Sequence, residues 1–464
     1  MQYVSTRGKA PQLDFNNVLL QGLARDGGLY VPTEWPQLDK KTIAEMAGKP
    51  YAEIAKTVLT PFVQDQISVG AFHKMIDEAY GTFRHDAVTP LVQVGANQFI
   101  LELFHGPTMA FKDVAMQLLS RLMDHVLAKK NERATIIGAT SGDTGGAAID
   151  AFKGKNNTEM FILFPDGRVS DVQRKQMTTV KDDAVHPLAV KGNFDDCQAL
   201  VKALFNDHAF RDEVQLSGVN SINWARIMAQ IVYYFVAATA LGAPYRKISF
   251  SVPTGNFGDI FAGYVAKKMG LPIDNLIIAT NSNDILTRCM ETMRYEVTGV
   301  SPTISPSMDI QVSSNFERLL FTASDRDGDE VGRMMENLKQ SGSFSIRQKA
   351  FEVITSEFSA GRCNEAQTAA EIKNTFAKTG YLLDPHTAVG LKVAREHEKA
   401  GVPMVTLATA HPAKFPDAVK AACGIHPALP IWQGDLMERE EHFEVIANDE
   451  IALKKLIKDV ISAK

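Results

Sequence analysis

Cysteine is scarce in this chain: four in 464 residues, Cys197, Cys289, Cys363 and Cys423, far apart and forming no C-x-x-C pair. That spacing argues against a disulfide framework and against a zinc site, and predicts reduced thiols. A surplus of one charge sign is also missing, with 49 Lys and Arg against 54 Asp and Glu and a net charge of -5. Nucleic acid and anionic membrane surfaces are therefore poor partners, whereas a small anion held by a few focused cations is not excluded. No apolar run reaches the about 20 residues that a membrane span needs. The most apolar stretch, 227–241, carries Gln230 near its start and reads as a buried core helix. The start, Met-Gln-Tyr-Val-Ser-Thr-Arg-Gly, has no apolar run behind a basic cluster, so no signal peptide and a cytoplasmic location are expected. No His/Cys/Asp/Glu spacing suggests a catalytic metal.

What the chain does contain is ordinary globular composition, 45% hydrophobic and 22% charged, over a length that implies two or three domains. Apolar strands at 134–139, 160–164, 247–252, 275–279 and 403–408 alternate with amphipathic stretches such as 114–128 and 366–378. Continuous apolar strands separated by helices predict an α/β architecture with mostly parallel sheets covered on both faces. The expected organisation is an N-terminal segment over 1–90, which looks separate, then two doubly wound lobes over 91–225 and 226–464. The Ser/Pro/Thr-rich stretch 297–315 reads as a surface loop.

Three places carry chemistry. Residues 102–116, Glu-Leu-Phe-His-Gly-Pro-Thr-Met-Ala-Phe-Lys-Asp-Val-Ala-Met, put Lys112 where a Gly-Pro turn gives way to a helix. Small neighbours let a flat ring approach, and a lysine in an apolar cleft loses part of its proton affinity, leaving an amine able to attack a carbonyl. The bland alternative is an exposed helix lysine paired with Asp113 or an acid one turn away. Two strand–turn–helix junctions, Ser141-Gly142-Asp143-Thr144-Gly145-Gly146 and Gly255-Asn256-Phe257-Gly258-Asp259, present glycine-rich backbone to a helix N-terminus, a ready anion site. Neither is a Walker loop or a dinucleotide fingerprint, and such turns are also common punctuation. Finally, 405–415 reads as a buried strand ending in a polar turn, Thr409-Ala-His-Pro-Ala-Lys414-Phe, where His411 and Lys414 read as surface residues.

The lysine run resembles the pyridoxal-phosphate attachment site of the serine/threonine dehydratases and threonine synthases, and His-Gly-Pro-Thr-x-Ala-Phe-Lys-Asp is the threonine synthase form of it. The likeness extends from Leu-Ala-Arg-Asp-Gly-Gly-Leu-Tyr near the start to His-Pro-Ala-Lys-Phe near the end. It implies a fold-type-II enzyme in which Lys112 holds pyridoxal 5'-phosphate as a Schiff base and then serves as general base. The same resemblance carries Gly255, Asn256, Phe257 and Asp259 over as the cradle of the cofactor phosphate and sets the hydroxyl of Thr409 against the pyridine nitrogen. Ser141, Asp143 and Thr144 would face the substrate, although Ser and Thr there could equally be helix caps. Asp143 stands where many relatives have asparagine beside the ring oxygen, which puts that contact in doubt. Arg226, in Asn-Ser-Ile-Asn-Trp-Ala-Arg, suits a substrate phosphate, and a structural ion pair is the competing role. The implied reaction converts O-phospho-L-homoserine and water to L-threonine and phosphate. A dehydratase or phospho-lyase releasing a 2-oxo acid, or a non-catalytic relative, are the alternatives.

Overall fold

The structure is a computed structural model that describes residues 1–140 and 142–463. Two parallel sheets dominate. The larger has six strands in the order Phe358–Arg362, Ile273–Thr280, Ile248–Pro253, Met404–Ala408, Gln98–Glu102 and Leu91–Gln93. All its neighbours pair in parallel except the edge strand Leu91–Gln93. The second is fully parallel, in the order Glu444–Ile446, Val185–Val190, Thr158–Pro165, Ala134–Ala139 and Leu216–Ser217. Every residue of Thr158–Pro165 and of Ile248–Pro253 is buried. Such strands need apolar or internally bonded side chains on both faces, as parallel sheets under helices do. The buried hydroxyl of Ser251, for example, donates to the Gly390 carbonyl at 2.7 Å.

The sheets do not follow the sequence boundaries expected at 225 and 226. Strands 91–93 and 98–102 belong to the sheet built mainly from residues after 226, and 444–446 closes the edge of the earlier one. The N-terminal segment also differs from its separate appearance. It forms a three-stranded antiparallel sheet and the helices Lys40–Ala44, Tyr51–Val63 and Val69–Tyr80, and its apolar side chains join the same core as both lobes. The reason is aromatic: Trp224, at the head of helix Trp224–Ala240, packs its ring 6.0 Å from Tyr3, 6.2 Å from Trp35 and 5.8 Å from Phe62. That helix covers most of the apolar 227–241 stretch and is buried nearly all round, packing against Tyr51–Val63, Lys112–Lys130 and Gly258–Lys268. Among the described residues no helix is long and apolar enough to cross a membrane. The four cysteines stand unpaired.

Candidate functional site

Three neighbouring parallel strands of the larger sheet end at one edge, and each delivers a part of the site. Ile248–Pro253 leads into the 254–257 turn and helix Gly258–Lys268; Met404–Ala408, beside it, leads into Thr409; Gln98–Glu102, next again, leads through the 103–111 loop into helix Lys112–Lys130. The carboxyl edge of a parallel sheet is where such folds gather ligands. The loop before Lys112 is sewn to the Thr409 turn: Phe111 N–H donates to the Thr409 carbonyl at 2.8 Å, and His411 N–H to Met109 at 3.0 Å. An isolated bridge joins Ala110 to Ala410. Asp113 folds the loop back on itself, accepting from Thr108 N–H at 2.8 Å and from its hydroxyl at 2.7 Å. Burial pushes the Asp113 carboxyl up to about 7.

Lys112 is no surface lysine. Its side chain is 13% exposed, and its charge partner is Asp143 at 3.7 Å, across from the other sheet, not Asp113. Burial draws its amine down to about 8 despite that carboxylate, and the cations Lys414 and Arg226 push the same way as burial. Asp143 begins helix Asp143–Phe152 after strand Ala134–Ala139. Burial would raise its carboxyl, but Lys414 and Lys112 overcome that and hold it far below the carboxylate range. At the head of this helix the Thr140 hydroxyl accepts from Gly142 and Gly145 N–H at 2.9 and 3.0 Å. Thr144 is half-buried, and its hydroxyl has no partner among the described residues. Ser141 lies outside the described residues.

The second turn is shaped as an anion cradle by what happens to its carbonyls. Ser313 donates its hydroxyl to the Gly255 carbonyl at 2.6 Å, and Asn315 donates both backbone and side-chain N–H groups to Asn256 at 3.0 Å. With the carbonyls turned toward 313–315, the N–H groups of Gly255, Asn256 and Phe257 keep no acceptor among the described residues. Phe257, with φ of 63°, precedes the helix in left-handed backbone, and the helix dipole adds to the site. The side chains of two residues of this turn point elsewhere. The Phe257 ring is buried against Phe316 and Phe358, so only its backbone faces the cradle. The Asp259 carboxylate turns away to accept from the Tyr233 and Tyr234 hydroxyls, and burial raises it to about 7.

Thr409 is buried at the strand end, and its hydroxyl bonds to no described residue, leaving it available to a ligand. Arg226 is 3% exposed. One of its terminal nitrogens donates to the Val219 carbonyl at 2.9 Å, its Nε is unpartnered, and no carboxylate among the described residues pairs with it. The structural ion pair considered for it is absent there. A buried guanidinium without a counter-ion is poised for an external anion. Its solvation loss pulls it down to about 10.

A buried lysine amine of lowered proton affinity, a backbone anion cradle and an open hydroxyl together fit pyridoxal phosphate. A family model for pyridoxal-phosphate-dependent enzymes matches residues 83–409, flanked by models for the threonine synthase N terminus at 2–80 and the threonine synthase C-terminal region at 387–457. The chain belongs to the threonine synthase family. The threonine synthase of Pseudomonas aeruginosa is 54% identical over 451 residues, which cover 97% of this chain and 96% of that one. The crystal structure of PLP-bound threonine synthase from Brucella melitensis aligns with a TM-score of 0.98 at 63% identity over 99% of both chains. Threonine synthase from yeast aligns at 0.94 with 40% identity, over 100% of this chain and 99% of the other.

Sequence reading missed several residues of this threonine synthase site. Lys414 is fully buried and hydrogen-bonded inside it. The 297–315 stretch contributes Ser307, whose hydroxyl donates to Asp143 at 3.3 Å and whose N–H donates to His386 Nε2 at 3.2 Å. His386 in turn is oriented by Asp384 at 2.7 Å from Nδ1, which leaves Nε2 as the acceptor. Arg318, fully buried, donates to the carbonyls of Tyr30 at 3.0 Å and Ile222 at 2.6 Å and to Asn315, so it ties the N-terminal segment to the segment leading to Arg226 and to the Asn315 that holds the Asn256 carbonyl.

Proposed function

We propose that this protein converts O-phospho-L-homoserine and water to L-threonine and phosphate, acting in the cytoplasm. The observation that carries the reading is Lys112, a buried amine drawn down to about 8, at the edge where the 255–257 cradle and Thr409 also converge. Pyridoxal phosphate, when bound, supplies the aldehyde for amine exchange and the electron sink for carbon–hydrogen cleavage. The backbone N–H groups of Gly255, Asn256 and Phe257 would hold its anionic tail, and the Thr409 hydroxyl would meet its ring nitrogen. A hydroxyl need not protonate that nitrogen, so the sink would be milder than one backed by a carboxylate.

Lys112 Nζ, once displaced by the substrate amine, stays beside Asp143 and is the base that takes a proton from the substrate Cα. A neutral fraction near neutral pH is what that step requires, and burial supplies it. Arg226, without a carboxylate of its own, suits the substrate phosphate before and as it leaves, and Thr144 offers a free hydroxyl to the same end. Free thiols at all four cysteines support a reducing compartment. Incubating the purified protein with O-phospho-L-homoserine tests the reading. Threonine and phosphate should appear in equal amounts; 2-oxobutyrate without threonine overturns it. Lys112→Ala should abolish turnover and the visible absorbance of the lysine-bound cofactor.

A further inference from the structure

Lys414 closes the short turn Pro412–Lys414 just beyond Thr409, and its side chain is 0% exposed. Its Nζ donates to the Thr108 carbonyl at 2.7 Å and to Gln176 Oε1 at 2.7 Å, and it lies 3.0 Å from Asp143 Oδ1. A buried ammonium is costly unless an anion faces it, and Asp143 is the anion that does. The two oxygens of Asp143 are divided. Oδ1 takes Lys414 and the Gln173 amide at 2.9 Å, whereas Oδ2 faces Lys112 at 3.7 Å and Ser307 at 3.3 Å. With two donors fixing one oxygen, the carboxylate cannot swing, and the other oxygen stays aimed at the reactive amine.

We propose that Lys414 is a positioning residue for the reaction: it anchors Asp143 as a fixed carboxylate and neutralises it, so that Lys112 is oriented by Asp143 without being locked to it as an ammonium. The proposal rests on the lysine–cofactor reading above, not on the identity of the product. Asp143 beside Lys112 alone would be a simple buried ion pair, holding the amine protonated. Adding Lys414 makes the Asp143–Lys414 couple neutral overall and leaves Lys112 as the extra charge in the pocket. The other groups around them are Arg226, which also disfavours the Lys112 ammonium, His386, whose Nε2 accepts from Ser307 on the Asp143 side, and Asp113 near Lys414. Neither arginine nor histidine touches Asp143 within ion-pair distance, so Lys414 is the group that sets the balance.

The test titrates Lys112 in two ways: by the visible absorbance of the cofactor-loaded protein against pH, and by acetylation of Lys112 in cofactor-free protein, read by peptide mass spectrometry. Lys414→Met should raise the Lys112 midpoint by a pH unit or more and slow its labelling near neutrality about tenfold. The double variant Asp143→Asn/Lys414→Met removes the orphaned carboxylate and should return both readings toward wild type, a rescue that a merely structural role would not produce. A Lys414→Met midpoint equal to wild type, or a double variant no nearer wild type than the single one, overturns the proposal. If Lys414→Met does not fold, Asp143→Asn decides against the double variant. Asp143→Asn alone leaves Lys414 uncompensated and should depress the Lys112 midpoint, and adding Lys414→Met should raise it again; equal midpoints overturn the proposal. A wild-type protein without visible absorbance would instead remove the cofactor reading, while the labelling arm still reports on Lys414.

Discussion

Gly255→Ala should weaken cofactor binding far more than it destabilises the fold. A Cβ at this position would sit 2.9 Å from the Ser307 carbonyl oxygen, closer than such contacts occur without movement, and in ordinary contact with Met308 Cα at 3.5 Å. The obstacle cannot simply retreat, because Ser307 is held at both its N–H and hydroxyl by His386 and Asp143. One of two things must shift, the 306–308 turn or the cradle itself, and the cradle is the more open of the two, with Asn256 exposed. Overpacking of one methyl costs roughly 1–3 kcal/mol. Carried mainly by the cradle, that is about a 5- to 150-fold rise in the Kd for pyridoxal phosphate. The assay is an absorbance titration of cofactor-free protein, with thermal unfolding of the same samples. Gly332→Ala is the control: nothing lies within 4 Å of its Cβ, and it sits inside helix Gly328–Ser341. It should gain roughly 0.5–1 kcal/mol of stability and leave affinity unchanged. A Gly255→Ala protein that binds cofactor within twofold of wild type refutes the assignment of this turn as the cradle.

In cofactor-free wild type, Lys112 should label with a midpoint near pH 8, rising with pH because the ammonium is the disfavoured form; a midpoint above 10 shows that the site does not desolvate it. Asp259, buried against two tyrosines, has its carboxyl raised to about 7, so its share of stability is complete below the ordinary aspartate range and is lost as pH climbs through 7. Asp259→Asn should therefore gain on wild type between pH 5 and 8, by up to about 4 kcal/mol in urea unfolding, and a pH-independent difference refutes it. Arg318→Met leaves the buried Tyr30 carbonyl, the part-buried Ile222 carbonyl and an amide oxygen without their donor. It should cost on the order of 3 kcal/mol in urea unfolding and also weaken cofactor binding; stability lost with affinity unchanged would show that the suture does not reach the site.

Much of the fold was legible because parallel strands declare themselves: Ala134–Ala139 and Met404–Ala408 are short apolar runs ended by polar turns, and the helices Lys112–Lys130 and Glu365–Thr379 extend the expected stretches by a few residues. Strands 91–93 and 444–446 escaped because each is three residues long, half-exposed and defined by its partner, not by its own pattern. Lys112 was legible through its neighbours, and Arg226 through its place at a helix head. Lys414 was not, since a lysine after His-Pro-Ala looks like any surface turn; only the closure of one sheet on the other buries it. Asp259 is the converse case. The family resemblance carried it over with the cradle, and its carboxylate accepts from the buried hydroxyls of Tyr233 and Tyr234, a pairing between helices that the motif does not display. Residues 297–302 are exposed as a surface loop would be, while the inward part of the stretch is organised by Asp309, which accepts from Asn281, Asn283 and Thr303, a set scattered along the chain.

The interleaving of the sheets bears on how the molecule is made. Gln98 waits for Met404, and Leu188 for Glu444, before either sheet has all its neighbours. During synthesis the early strands must therefore remain unpaired on one edge until residues 404–408 and 444–446 have been made. Pairings so distant in sequence close slowly. Removing the last strand and helix should accordingly damage the first-made lobe, with its helix Phe194–Asn206 stripped of Glu450–Ser462, and not merely trim a tail.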